Sequence, residues 1–301
     1  MKLRSFAYHV VKFLPASVTA FLRKHKRKRA AQRRRQTRDA AIAEHGQVSV
    51  AELLVVLREL GINAGCTLFV QSSFNDLHTF SGRPVELLDA LRALVGDTGT
   101  LLMPAYTVDS PLAADAVLDA VVDVANLPTY TGILSELFRR TPGVLRSVHP
   151  RHSICALGPL APALLAGHEN CVYADGPDSP MDRLRQRDDA LILTIGLEPG
   201  FTSFLHWIED HEPDRFPLRV HEPAPKRYRV RHPDGRTIHV DDMQVRPEVA
   251  ARINLPRIAG ELGPEVLRWR RHRGIELGLY FVKPLSARLV ALRDSGITHF
   301  H

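Results

Sequence analysis

Between residues 49 and 195 the apolar residues switch repeatedly between helical spacing and short continuous runs. This alternation constrains the fold more than any other feature of the chain. Leu53, Leu54, Leu57 and Leu60 recur at helical intervals behind Ser49 and Glu52, which have capping-box spacing, until Gly61 stops them. A run over 67–70 has a strand's length and enters the polar turn Gln71-Ser72-Ser73. A helix over 85–95, ended by Gly96, leads to a strand over 98–103. Helices over 132–140 and 160–167 and strands over 153–157 and 190–195 follow. Strands separated by helices of this length predict a three-layer α/β/α arrangement with a mainly parallel central sheet. Pro233-Asp234-Gly235 between two β-rich runs predicts a hairpin over 227–240, and from Pro247 onward the chain reads as helices. With no repeat and no linker, residues 43–301 read as one elaborated domain.

Charge separates the first 42 residues from this body. They hold 13 of the 40 Lys and Arg residues but one of the 33 acids, so the formal net charge of +7 conceals a strongly basic extension on a mildly acidic body. A uniformly basic nucleic-acid-binding body is thereby excluded. In the extension, Phe6, Val10, Val11, Phe13 and Leu14 precede the arginine block, and Lys12 interrupts them. That order is not a secretory signal. It reads either as a solvated extension or as an anchor laid on an anionic membrane surface. Nucleic-acid binding finds no support in aromatic interleaving. No run of 18 apolar residues exists to span a bilayer. Cys66, Cys155 and Cys171 form no disulfide or metal framework, and free thiols fit a reducing, cytoplasmic compartment.

Ligands of open α/β sheets bind beyond the carboxyl ends of the strands. Three polar clusters are predicted there: Gln71-Ser72-Ser73; Arg146-Ser147-Val148-His149-Pro150 with Ser153; and Thr202 to Glu209. In the third, Thr202, His206 and Glu209 would share one helix face, and an imidazole beside a carboxylate is an oriented base. A packing or capping His206 is the alternative, and the HxxE spacing lacks the second histidine of a zinc protease motif. His149 reads as a structural turn or as a ligand contact. Asp241-Asp242 reads as a turn or a substrate-facing acid, Cys155 and Cys171 as buried thiols, and His168-Glu169 as a surface helix end.

Val70-Gln71-Ser72-Ser73, Gly99-Thr100-Leu101-Leu102-Met103-Pro104, Phe138-Arg139-Arg140, the Arg-Ser-x-His-Pro-x-x-Ser run ending at Ser153, Ser179-Pro180, and Thr202 with His206 and Glu209 occur in that order. Together they resemble the aminoglycoside 3-N-acetyltransferase family, over roughly residues 53–209. The resemblance implies direct transfer of acetyl from acetyl-CoA to an amine of an aminoglycoside-like or amino-sugar acceptor, without an acyl-enzyme. It implies His206 as general base, with Glu209 or a distal acid orienting it. Ser72, Ser73 or nearby backbone N–H groups would hold the oxyanion. Acetyl-CoA would draw on Ser72, Ser73, Met103, Tyr106, Arg146, Ser147, His149 and Ser153, and the acceptor on Gln71, Thr202 and Asp241. No metal is implied.

Two departures from the family pattern stand out. Gln71 occupies a position where most members carry histidine, so it can hydrogen-bond but not relay a proton. The basic extension is also unlike the short resistance enzymes. Two alternatives follow: an O- or N-acyltransferase of surface polysaccharide or secondary metabolism, and a non-catalytic protein acting through its basic tail on membrane or nucleic acid.

Overall fold

The computed structural model describes residues 16–107 and 120–301. The apolar anchor residues Phe6, Val10, Val11, Phe13 and Leu14 lie outside the described residues. Helix α1 (Ala16–His45) carries the arginine block and continues past residue 42. Its side chains from Ala31 to Ala40 are exposed.

Helix α2 (Val50–Leu60) starts where Ser49 Oγ accepts the Glu52 N–H at 3.1 Å and ends at Gly61 with φ 121°. After strand β1 (Thr67–Ser72), helix α3 (Pro84–Val95) begins with proline at its first turn. There the Glu86 carboxylate reaches back to the Arg83 N–H at 2.7 Å. Strands β2 (Thr100–Pro104) and β3 (Val121–Val122), helix α4 (Ile133–Arg139) and strands β4 (Leu145–Arg146) and β5 (Ile154–Leu157) follow. Next come α5 (Ala161–Leu165), α6 (Pro180–Arg185), β6 (Ala190–Ile195) and α7 (Trp207–His211). The chain closes with β7 (Lys226–Arg231), β8 (Thr237–Asp242), α8 (Pro247–Ala250), β9 (Leu267–His272), β10 (Ile275–Phe281) and α9 (Val282–Asp294).

The main sheet has seven strands in the order β4-β5-β2-β1-β6-β10-β9. Its centre is parallel, β2 and β6 flanking β1, and the outer strands join antiparallel. The outer strands come as two antiparallel pairs with short internal connections, β4–β5 and β9–β10, laid on the two sides of the parallel centre. The close approach of β5 to β2 requires glycine: at Gly158, φ 131°, an added Cβ would lie 2.3 Å from the Gly99 carbonyl oxygen.

Alternate residues of the central strands feed two cores, which makes the three layers. Phe69, Leu102, Ile192 and Tyr280 pack with α5, α6 and α9; Leu68, Val70, Leu101 and Leu193 pack with α2, α3 and α4. Each such side chain, when fully buried, contributes about 1.5–3 kcal/mol. The hairpin forms as expected, turning at Gly235 with φ 90°, and β7 also pairs with β3 in a separate three-stranded sheet.

The segment after Pro247 corrects the all-helical expectation, because β9 and β10 intervene. β10 buries Leu277 and Leu279 against β6, completing an edge that would otherwise expose unpaired backbone.

Candidate active site

The carboxyl ends of β1, β2 and β6 are joined to the third polar cluster by side-chain hydrogen bonds. Beyond β6, Gly196 (φ 71°) turns the chain so tightly that an added Cβ would meet the Ser73 carbonyl oxygen at 2.8 Å. Thr202 then caps a 3₁₀ turn, Ser203–His206, which runs directly into α7. Burial of Phe204, Leu205, Trp207 and Ile208 fixes the turn against the core. The polar residues between them are thereby presented together.

Gln71 clamps the start of this turn. Its Oε1 accepts the Thr202 hydroxyl at 2.7 Å and the Ser203 N–H at 3.1 Å, and its Nε2 donates to Ser203 Oγ at 3.0 Å. The Tyr106 hydroxyl, just beyond β2, donates to the same Ser203 Oγ at 2.9 Å. Gln71 and Thr202, expected to bind substrate, instead bind each other and position the segment that carries His206. Their side chains are buried.

His206 Nδ1 lies 2.6 Å from Glu209 Oε1, with Glu209 1% and the imidazole 21% exposed. Burial opposes charge on the ring, but the Glu209 carboxylate outweighs it, helped by Asp175 and Asp210, and raises His206 to about 9. Burial likewise opposes charge on Glu209, yet His299 and His206 hold it well below the usual carboxylate range. His299 Nε2 stands 3.3 Å from the same Glu209 oxygen. Asp210, raised mainly by burial and further by Asp175 and Glu209, accepts from His221 Nε2 at 2.7 Å and from the Asp175 N–H at 3.0 Å. Asp175 meets His152 at 3.3 Å, and His152 stacks on Tyr106 with ring centroids 4.8 Å apart. Three largely buried carboxylates thus surround one partly open imidazole.

Ligand-type atoms of His206, Glu209 and His299 lie within 4.8 Å of one another. The 2.6 Å contact between His206 and Glu209 is the length of a charge-assisted hydrogen bond.

The second polar cluster is closed upon itself. Arg146 donates from Nε to Ser153 Oγ at 2.8 Å, from Nη1 to Leu127 O at 2.7 Å and to Val124 O at 2.5 Å, and from Nη2 to Ala105 O at 2.5 Å. Ser153 Oγ donates to Ala105 O at 2.8 Å. Ser147 Oγ accepts the Ile154 N–H at 2.8 Å and pairs with His168 Nδ1 at 2.8 Å. His149 is fully buried, stacks on His168 at 4.6 Å and lies 3.7 Å from Asp242 Oδ1. Burial, with His168, His152 and Arg151 nearby, keeps its ring neutral. These contacts hold the 120s loop and β5 in place. His168 is buried rather than a surface helix end, and burial lowers it to about 4.

The Met103 side chain is buried in the core cluster that holds Leu101. Asp241 points to the outer face of the hairpin and pairs with Arg227 at 2.7 Å. Its neighbour Asp242 turns inward to the Arg151 guanidinium. Ser73 donates its N–H to Ile195 O at 2.9 Å and its hydroxyl to Asp76. The Ser72 hydroxyl, half-buried, makes no hydrogen bond among the described residues. All three cysteines are buried free thiols, and burial pushes Cys155 up to about 12.

Asp175, Asp210, His152, His221 and His299 were not singled out from sequence. Asp210 directly follows Glu209 on the same helix; the other four reach the site through contacts distant along the chain, which leave no local spacing to detect. A cleft of about 770 Å³ opens on the same sheet edge, between the loop Gly196–Phe201 and the start of β10. Asp76, Glu198 and Glu276 line it, with Arg271 the cation among them.

A family model described as aminoglycoside 3-N-acetyltransferase matches residues 69–266. The aminoglycoside N(3)-acetyltransferase IV of Salmonella sp. is 32% identical over 161 residues, 53% of this chain and 58% of that protein. The alignment therefore spans little more than half of that relative's length. The solved structure of AAC-VIa bound to sisomicin is similar with a TM-score of 0.65 and 27% identity, covering 83% of this chain and 98% of its own. The structure of AAC-IIIb with CoASH shares the fold, with a TM-score of 0.66 and 22% identity over 83% of this chain and 98% of its own. The family match encloses Gln71, the Arg146–Ser153 network and the His206–Glu209 pair, and on that extent this chain belongs to the aminoglycoside 3-N-acetyltransferase family.

Proposed function

We propose that this protein transfers acetyl from acetyl-CoA to an amine of an aminoglycoside-type or amino-sugar acceptor, with His206 as general base. The observation that carries the reading is the 2.6 Å His206–Glu209 bond, on a ring whose Nε2 has no hydrogen-bond partner among the described residues. The acceptor nitrogen attacks the thioester carbonyl and gives its proton to His206 Nε2. The carbon–nitrogen bond forms as the carbon–sulfur bond breaks, and coenzyme A leaves as the thiolate and is then protonated. Glu209 stabilises the imidazolium that results. The Ser72 hydroxyl is the donor available for the oxyanion. Carboxylates at Asp175, Asp210 and along the nearby cleft favour a polycationic acceptor.

The test is thiol release from acetyl-CoA with a panel of aminoglycosides and amino sugars, followed by mass spectrometry of the product. An amide product supports the reading. An ester product, or no turnover with any amine, overturns it.

Helix α1 supports a second, separable role. Arg33, Arg34, Arg35 and Arg38 are exposed, and Asp39 is the acid that approaches them, 3.8 Å from Arg35. Such a helix suits an anionic membrane surface. Co-sedimentation with anionic vesicles that is lost on deleting residues 1–42 supports this role; equal sedimentation without them refutes it.

A further inference from the structure

Glu209 has two imidazole neighbours, one from inside the matched region and one from beyond it. His206 precedes it by one turn; His299 arrives from the last three residues of the chain, outside the family match. We propose that His299 is a positioning residue, donating its Nε2–H to Glu209 and holding that carboxylate turned toward His206. The proposal rests on the reading of His206 as the base.

Three observations support it. Glu209 is 1% exposed, and its Oε2 has no hydrogen-bond partner. A buried carboxylate held by one donor is costly, and His299 Nε2, 3.3 Å from Oε1, is placed to donate to it as a second. His299 Nε2 is itself buried and makes no other hydrogen bond, and the polar group nearest it is the Glu209 carboxylate.

The ring is also held in place. Asn254 donates its N–H to His299 O at 2.8 Å, His301 donates to Arg252 O at 3.0 Å, and Ile253 bridges to Phe300. Phe300 lies 4.4 Å from the ring, Phe216 6.4 Å, and His206 meets it edge-on at 5.3 Å. The tail is thus pinned to residues 252–257 by backbone and side-chain hydrogen bonds around one isolated bridge, which fixes the imidazole beside Glu209. In a hydrolase triad a third group orients the base; here the orienting acid is itself oriented.

Other charged groups around the pair already have partners. Asp210 is held by His221, Asp175 by His152, and Arg293, which lines the small void beside His299, by Glu212 and Asp294. None of them competes for Glu209.

The experiment combines nitrogen NMR of ¹⁵N-histidine-labelled full-length protein with the pH–rate profiles of H299L and H299Q. The expected wild-type tautomer of His299 carries its proton on Nε2. H299L should move the His206 Nδ1–H resonance and lower kcat by about tenfold or more, shifting the acid limb of the profile. H299Q, which retains an N–H donor, should recover kcat to within about threefold of wild type. A wild-type His299 protonated on Nδ1 alone overturns the proposal, even if H299L fails to fold. So does an H299L enzyme with unaltered profile and resonance, or an H299Q enzyme as impaired as H299L. The NMR readout stands without turnover, so failure of the acetyltransferase reading is separable from failure of this one.

Discussion

His206 Nδ1 and Glu209 Oε1, 2.6 Å apart, form an ion pair in which the imidazole is raised to about 9 and the carboxylate lowered. A base held this way is protonated in the resting protein at neutral pH. The reactive form must therefore lose a proton before the acceptor amine can give one up.

The pH dependence follows with a definite sign. A raised imidazole gains its neutral form only as pH climbs, so kcat/KM should rise about tenfold per unit until it levels near 9. Glu209→Gln removes the charge that raises the ring, so the acid limb should move toward the ordinary value of about 6.5 while the plateau falls. Rate profiles of the two enzymes check this; an unmoved limb in Glu209→Gln would mean that another group titrates.

Gln71→Ala removes three hydrogen bonds to Thr202 and Ser203. Because these bonds fix the turn ahead of His206, kcat should fall by about tenfold or more, with a stability loss of about 1–3 kcal/mol. Steady-state kinetics beside urea unfolding separates the two effects.

Arg146→Met keeps the volume of the side chain but abandons the carbonyls of Ala105, Val124 and Leu127. Stability should fall by about 3 kcal/mol or more. Affinity for acetyl-CoA, measured by calorimetry on the folded fraction, should stay within a few-fold of wild type. A selective loss of acetyl-CoA binding at unchanged stability would return Arg146 to the ligand site.

Glu136 governs acid stability on the far side of the site. Hydrogen bonding to Arg139 leads in lowering it to about 2, and with the Thr129 N–H and Arg140 it outweighs the opposing effect of burial. A lowered carboxylate contributes stability above its unfolded value, and that contribution is lost as pH falls toward about 2. Glu136→Gln should cost about 1–3 kcal/mol at neutral pH and nothing once Glu136 is fully protonated. Denaturant titrations at neutral and acid pH read this directly.

The parts of the molecule legible in the sequence are those whose cause is local. α2 and α3 declare themselves by period, cap and terminal glycine, and β1 and β6 by unbroken apolar runs between those helices. His206 and Glu209 are legible for the same reason, being one turn apart. β9 is not: Leu267–His272 carries five consecutive exposed or half-open polar and aromatic residues, and its strand form depends on pairing with β10. The Arg146–Ser153 run shows a third kind of outcome. Its pattern was readable, but a sequence does not say whether polar residues face a ligand or one another; in the fold they bond one another. His299, 90 residues beyond Glu209, depends wholly on tertiary placement.

The most direct measurement is the rate of acetyl transfer to an aminoglycoside amine by wild-type protein and His206→Ala at matched pH. The account expects transfer by the wild type and a loss of about 10²–10⁴-fold in kcat for a folded variant. A His206→Ala enzyme that retains acetyl transfer within about threefold of wild type would contradict the assignment of the base.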